Sequence, residues 1–383
     1  MSIIDQLRDG NFELTFLGSG TARTAVDMNP GLFADVVALD VKQIQRHHRL
    51  FQACDAILSV MEPSLIFAGY AQRKTTFYVD SLPFLWRPAL GLQALERLKR
   101  ELLDKPSKAY ELAASLPMHD AQALAHYLAD ACFIQRYSHL DNTIAIPNLH
   151  EIGAIVPQYG EHVANEGCDL LVSLSGQLSA FADAASSLDY AHIVIGVCER
   201  IQERSGGDLR IDIVVNPAVR ELIAPHIQQR FNVCSLDHQQ MNEKIRQCSL
   251  LLAPPGLTTA LESVYHGTPY VLLPDQHYAH HLNRKILDPS SRYALVDFGI
   301  EGLPQEPQAA TVCLQGRARS LLTSPDYAFV AASAVDRVCS LLLDGKSREA
   351  AIRDQRANID RCVGGFDGAR QVTDNVKQAF AFA

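Results

Sequence analysis

One short stretch of this 383-residue chain has residue types and spacing that could do chemistry: LLAPPGLTTALESVYHGTPYVLLPDQ, Leu251–Gln276. Leu257, Ala260, Leu261 and Val264 follow i, i+3, i+4, i+7 spacing, which predicts a short helix with one buried face. Thr258, Thr259, Glu262, Ser263 and His266 fall on the other side. Gly267 ends such a helix by taking the left-handed cap, and Pro269 prevents its continuation. The helix opens after Pro254-Pro255-Gly256, and its first N–H groups carry about half a positive charge, a seat for a diphosphate. Gly256 lets an anion approach closely, and the Thr258 and Thr259 hydroxyls add donors. Glu262, one turn on, repels phosphate but can accept two hydrogen bonds from a vicinal diol, each worth roughly 1.5–3 kcal/mol when desolvated. A nucleoside diphosphate meets both demands at once.

A second chemical locus is Asp80 in YVDSLPFLW. A carboxylate at a strand's C-terminal end points toward the crevice where α/β proteins bind ligands. Phe84 and the only tryptophan, Trp86, could form a flat wall there for a ring.

The elements that must position these residues alternate. Phe12–Leu17, Ala34–Leu39, Cys54–Val60 and Thr75–Val79 read as short strands, with helices at Lys42–Gln52 and Glu62–Ala71 between them. Residues 88–130 read as helices, with most of the leucines at 90, 92, 95, 98, 102 and 103 fitting one broad face. Ala131–Gln135 and Glu151–Val156 complete this half as strands, and the polar Pro157–Gly167 reads as a linker. A second series follows. Asp169–Leu174, His192–Val197, Ile211–Val215, Phe231–Ser235, Leu250–Ala253 and Tyr270–Leu273 read as strands, with a helix running through about 190. After 300 an irregular segment gives way to helices near 328–343, 347–360 and 367–380. Two successive βα domains with parallel sheets are expected.

Composition agrees with two cores: 48% hydrophobic and 20% charged residues. A net charge of −9 gives no chain-wide basic footprint for nucleic acid. Nine scattered cysteines without CxxC spacing argue against a disulfide framework and a structural zinc, and favour a reducing, cytoplasmic setting. No apolar run approaches bilayer-spanning length, so no membrane insertion is expected. No GxGxxG with a later acidic residue marks a dinucleotide dehydrogenase.

Gly256, Thr259, Glu262, Gly267, Pro269, Pro274 and Gln276 together resemble the donor motif of GT-B glycosyltransferases, especially the bacterial peptidoglycan N-acetylglucosaminyltransferase and its UDP-glycosyltransferase relatives. The resemblance is specific over about 231–285, looser over 168–230, and architectural over the N-terminal half. It implies two Rossmann-like α/β domains facing a cleft: 1–157 for the acceptor, 168–366 for the nucleotide sugar, and a helix over 367–383 packing back on the first domain. It implies an inverting transferase moving a sugar from a UDP-sugar to a small soluble acceptor, as monomer or homodimer, with no cofactor and no metal. Glu262 would bind ribose hydroxyls, and Gly256, Thr258 and Thr259 the diphosphate. Ser175, Gly176 and Gln177 would form a second phosphate-contacting loop. Leu236 or Asp237 would lie beside the base, and Asp275 and Gln276 would reach the donor sugar.

Relatives often place a catalytic His or Asp just after the first strand. Here that loop is GSGTARTAVD, where Asp27 is the one carboxylate and Gly18, Ser19 and Gly20 could approach diphosphate or acceptor. Asp27 and Asp80 are therefore the candidate bases. Relatives also carry an acidic-Gln pair where this chain has His280–His281, ahead of Asn283. With Arg284, these histidines could favour an acidic sugar such as glucuronate. VDSLPFLW is similar to a stretch of cytosylglucuronate synthases of nucleoside-antibiotic pathways, which implies a cytosine-type acceptor. An NDP-sugar epimerase of the same architecture and a non-catalytic nucleotide-sugar-binding partner are the alternatives.

Overall fold

A computed structural model describes residues 2–27, 29, 31–137, 146, 148–157, 167–174, 184–295, 302–304 and 307–381. The expected second phosphate loop, Ser175–Gly176–Gln177, lies outside the described residues, as does the linker apart from Pro157 and Gly167. The chain divides into two compact units, residues 1–157 with 362–383, and residues 158–361.

The first unit opens with α1 (Ser2–Arg8), β1 (Thr15–Gly18), α2 (Gly20–Asp27) and β2 (Asp35–Ala38). A 3₁₀ stretch (Val41–His47) leads into α3 (His48–Ala53), followed by β3 (Ala56–Val60), α4 (Pro63–Ala71) and β4 (Thr75–Asp80). Then come α5 (Leu92–Asp104), α6 (Lys108–Ser115), α7 (Met118–Leu128), β5 (Ala131–Gln135) and β6 (Leu149–Ile152). Strands β3-β4-β5-β6 form a parallel sheet in that order, and β1 and β2 form a separate parallel pair. Alternation sorts the two faces. Tyr78, Cys132 and Ile134 pack beneath α4–α7, while Phe77, Val79 and Phe133 face α1. The leucine face of α5 is narrower than expected: Leu95 and Leu102 are buried, but Leu92 and Leu103 are exposed.

The second unit holds β7 (Leu170–Leu174), α8 (Ala184–Arg204), β8 (Ile211–Val215), α9 (Pro217–Arg220), α10 (Pro225–Arg230) and β9 (Asn232–Cys234). It continues with α11 (His238–Gln247), β10 (Leu250–Ala253), α12 (Leu257–His266), β11 (Tyr270–Leu272), α13 (Tyr278–Leu287), α14 (Pro307–Leu322), α15 (Tyr327–Leu343) and α16 (Gly345–Val363). Its five strands are parallel in the order β11-β10-β7-β8-β9. The last helix, α17 (Gly368–Phe380), belongs to the first unit, where Val372 and Val376 join Ile3, Leu7 and Phe77 in one core.

Three expectations fail. His192–Val197 is no strand but the middle of α8, because Tyr190, Ala191, Val194, Ile195, Cys198 and Ile201 keep helical spacing into the core. Its apolar run looked like a strand because α8 is covered by α14 and α15 as well as by the sheet. The segment read as irregular contains α14, and the loop after β1 is the helix α2.

Candidate functional site

Sheet order decides where ligands can sit. The chain lays β7 in the middle, builds β8 and β9 to one side, then returns to add β10 and β11 on the other. The direction reverses between β7 and β10, and open parallel sheets bind ligands at the carboxyl ends of such neighbours. The turn Pro254–Gly256 and helix α12 leave β10 at that place. Gly256 is the N-cap and no side chain caps the helix, so its first N–H groups keep their positive end for a ligand. A Cβ on Gly256 would meet nothing nearer than Pro254 O at 3.8 Å, so packing does not demand the glycine, and its bareness leaves the helix end uncovered. Thr258 is exposed and Thr259 partly buried. Gly267 takes φ 75°, and Thr268 N donates to Ser263 O at 2.9 Å, closing the helix as its sequence requires.

Glu262 is not on an exposed face. It is 2% exposed, and Ser263 and His266 are buried with it, because α11 packs over that side of α12. His238, the first residue of α11 and one-third exposed, places Nε2 2.8 Å from Glu262 Oε1. A carboxylate only accepts, so His238 holds the proton on Nε2 in this contact. Asp237 is spent as the cap of α11: its carboxylate accepts from Gln240 N at 2.8 Å, and Gln240 Oε1 accepts from Asp237 N at 3.1 Å. Leu236 is partly buried just before it.

The stretch expected to reach a sugar is more buried than a solvated turn. His280, His281, Asn283 and Arg284 lie on α13 and are buried. Arg284 Nη2 stands 3.4 Å from Asp275 Oδ2, and His281 Nδ1 3.7 Å from the same oxygen. Asn283 Nδ2 donates to Pro255 O at 2.8 Å, tying α13 to the turn that opens α12. The rings of His277 and His280 meet at a 34° tilt with centroids 3.6 Å apart, and Gln276 N donates to His280 Nδ1 at 3.3 Å. Burial pulls His277 down to about 4, and burial together with neighbouring His277 holds His280 well below the usual imidazole range.

In the first unit, Gly18 is the buried last residue of β1, while Ser19 and Gly20 are exposed where α2 begins. Asp27 is exposed at the end of α2 and paired with Arg23 Nε at 2.8 Å. Asp80 has no exposed surface. Its Oδ1 accepts from Leu82 N at 2.8 Å, and its Oδ2 from Trp86 Nε1 at 2.6 Å and His126 Nε2 at 2.8 Å. Three donors and full burial make it an anchor rather than a group open to a substrate. Phe84 offers no wall either: it is 1% exposed and meets Tyr137 edge-on at 5.2 Å. Trp86 is partly buried, with its N–H committed to Asp80. Among the described residues no group of three or more His, Cys, Asp and Glu is placed to hold a metal ion, and no helix is long and apolar enough to cross a membrane.

No protein-family model and no curated protein matches the chain. Solved structures do. Os79 from O. sativa in complex with UDP is 11% identical, with a TM-score of 0.52 over 98% of this chain and 96% of that one. A doubly substituted form of Os79, also with UDP, gives 0.56 at 9% identity over 98% and 96%. The glycosyltransferase SnogD from Streptomyces nogalater gives 0.50 at 11% identity over 99% and 94%. This chain has the GT-B fold.

Within the GT-B architecture, the sequence reading missed His238 beside Glu262 and His126 beside Asp80. The Asp237–Gln240 capping signature was visible and would have set His238 at the first position of α11. His126 lies 46 residues from Asp80, on a helix whose rotation only packing decides.

Proposed function

We propose that this protein is a glycosyltransferase that moves a sugar from a UDP-sugar to a small soluble acceptor, without a metal and with inversion. The observation that carries this reading is the buried carboxylate of Glu262, one turn into a helix whose uncapped N-terminus opens at the switch point of a GT-B sheet. Gly256, Thr258 and Thr259 hold the diphosphate, and the helix end stabilises its charge as it leaves. Glu262 takes the ribose hydroxyls, and Leu236 lies beside the base. Asp275 and Gln276 meet the donor sugar. That Os79 is matched with UDP bound supports a uridine nucleotide.

In the transfer, an acceptor oxygen or nitrogen bonds to the anomeric carbon, the carbon–oxygen bond to the diphosphate breaks, and the acceptor's proton passes to a base. Asp27, exposed and paired with Arg23, and Asp80, buried under three donors, are poorly built for that step. His126 is better built. With Nε2–H given to Asp80, its lone pair is on Nδ1, and the side chain keeps 13% of its surface exposed. We assign the base to His126 and its orientation to Asp80. The narrower reading, glucuronate passing to a cytosine-type base, loses Phe84 from its aromatic wall, because that ring is buried, and finds Arg284 beside Asp275.

The test is a thermal-shift panel of UDP, TDP, GDP and UDP-sugars. A ligand at about 100 times its dissociation constant adds roughly 2.7 kcal/mol to native stability. Stabilisation confined to uridine nucleotides is the expected result. No shift with any nucleotide would remove the donor site and the transferase with it.

A further inference from the structure

We infer that the acceptor of this transferase is a flat aromatic ring carrying the nucleophile, and that Met61 and Trp86 are the residues that select it. The inference rests on the transferase reading above and adds the class of acceptor.

Its first support is Met61, the residue that follows β3. It takes φ 63°, a left-handed conformation that strains any residue with a side chain. Three bonds hold it there: Met61 N donates to Val79 O at 2.9 Å, and Met61 O accepts from Gln122 Nε2 at 3.2 Å. Met61 Sδ accepts from Ser81 N at 3.3 Å. A glycine would meet the same backbone demand without strain. What methionine adds is a partly buried thioether at the carboxyl edge of the sheet, where α/β proteins bind ligands, and thioethers pack well against aromatic rings.

The second support is Trp86. Its indole is partly exposed yet fixed, with Nε1 donating to Asp80 Oδ2 at 2.6 Å and its ring 5.8 Å from that of His119 at a 59° tilt. A ring held in place loses little freedom when another stacks on it. Helix α7 joins the two residues: Gln122 holds Met61, and His119, three positions earlier on the same face, meets Trp86. The Asp80 oxygen that takes the indole also takes His126 Nε2 at 2.8 Å, so Trp86 adjoins the proposed base.

The third support is what the neighbouring carboxylates already do. Glu62 caps α4, its Oε1 accepting from Ser64 N at 3.0 Å. Asp120 is 7% exposed, and its Oδ1 accepts from Ala89 N at 2.7 Å and Leu90 N at 2.9 Å. With Asp80 under its three donors, all three acids serve the fold. A polyhydroxyl acceptor needs such partners, and an apolar ring needs none.

The experiment is tryptophan fluorescence of the full chain, which reads this place alone because Trp86 is the only tryptophan. Naphthol and methylumbelliferone are titrated against glucose, with N-acetyltryptophanamide correcting for absorbance. Saturable quenching by the ring compounds and none by glucose is the expected result. Met61→Gly, which takes φ 63° without strain, should weaken that binding about threefold or more. No saturable quenching by either ring compound, beside intact stabilisation by UDP, would overturn the inference alone. Unchanged affinity in Met61→Gly would overturn the part given to Met61. Saturable quenching with no stabilisation by any uridine nucleotide would overturn the transferase reading and the acceptor role with it. The comparison of ring compounds with glucose on the native protein decides the matter whether or not the variant folds.

Discussion

Glu262 sits 2% exposed, with His238 on Oε1, so the ribose role requires the carboxylate to keep its place and its charge. Glu262→Ala is expected to weaken UDP binding by about 1–3 kcal/mol with the fold retained, measured by calorimetry with circular dichroism as control. Unchanged affinity would end the ribose assignment. The three candidate bases separate in the same way. Asp27→Asn removes one exposed ion pair, so stability should move by less than about 0.5 kcal/mol and turnover should hold. His126→Asn should abolish most turnover while UDP affinity stays. Asp80→Ala should also cost stability, about 3 kcal/mol or more in denaturant melts, because Leu82 N, Trp86 Nε1 and His126 lose their acceptor in a buried place. Full turnover in His126→Asn would return the search for a base to the rest of the chain.

Two helices depend on glycine for how closely they pack. In α8, a Cβ on Gly196 would collide with Tyr327 Oη, which donates to Ile193 O at 3.0 Å and ties α15 to α8. The obstacle is the end of a side chain, which can move, so Gly196→Ala should cost about 1–3 kcal/mol. At the start of α17, a Cβ on Gly368 would strike the carbonyl of Gly153, and Gly368 N donates to Ala154 O at 3.1 Å. Backbone cannot step aside as a tyrosine can. Gly368→Ala should therefore destabilise the protein more than Gly196→Ala does, read as the difference between two denaturant midpoints. Equal losses would mean that α17 is not held by this close approach.

For the whole molecule, His277 links stability to pH. Its pKa is near 6.5 unfolded and about 4 folded, so between those values the unfolded chain binds more protons. The stabilisation is complete above pH 6.5 and is lost as pH falls toward 4. Between pH 8 and pH 5 the loss is about 2 kcal/mol from this group, with Asp275, the charge facing it, acting in the opposite sense. A falling melting temperature over that range, flattened in His277→Asn, is expected. A flat native profile would mean that His277 stays solvated.

Much was legible in local pattern. Helix α12 follows from the spacing of Leu257, Ala260, Leu261 and Val264, and its end from Gly267, because helical periodicity and a left-handed cap are properties of neighbouring residues. The strands β7, β8, β10 and β11 were readable as apolar runs for the same reason. Local pattern failed where a second layer covers an element: α8 is buried on several sides, so its apolar run loses the one-sided signature that tells helix from strand. It failed again for side-chain partners. That Glu262 faces His238, Asp80 faces His126 and Arg284 spends its charge on Asp275 depends on how α11, α7 and α13 are rotated against their neighbours. The sequence by itself determined the helix end at Gly256 and the carboxylate at Glu262 that are proposed to meet a diphosphate and a diol. Only the tertiary structure decided which of its charged groups are already spoken for, because pairing across elements is set by packing and not by spacing along the chain.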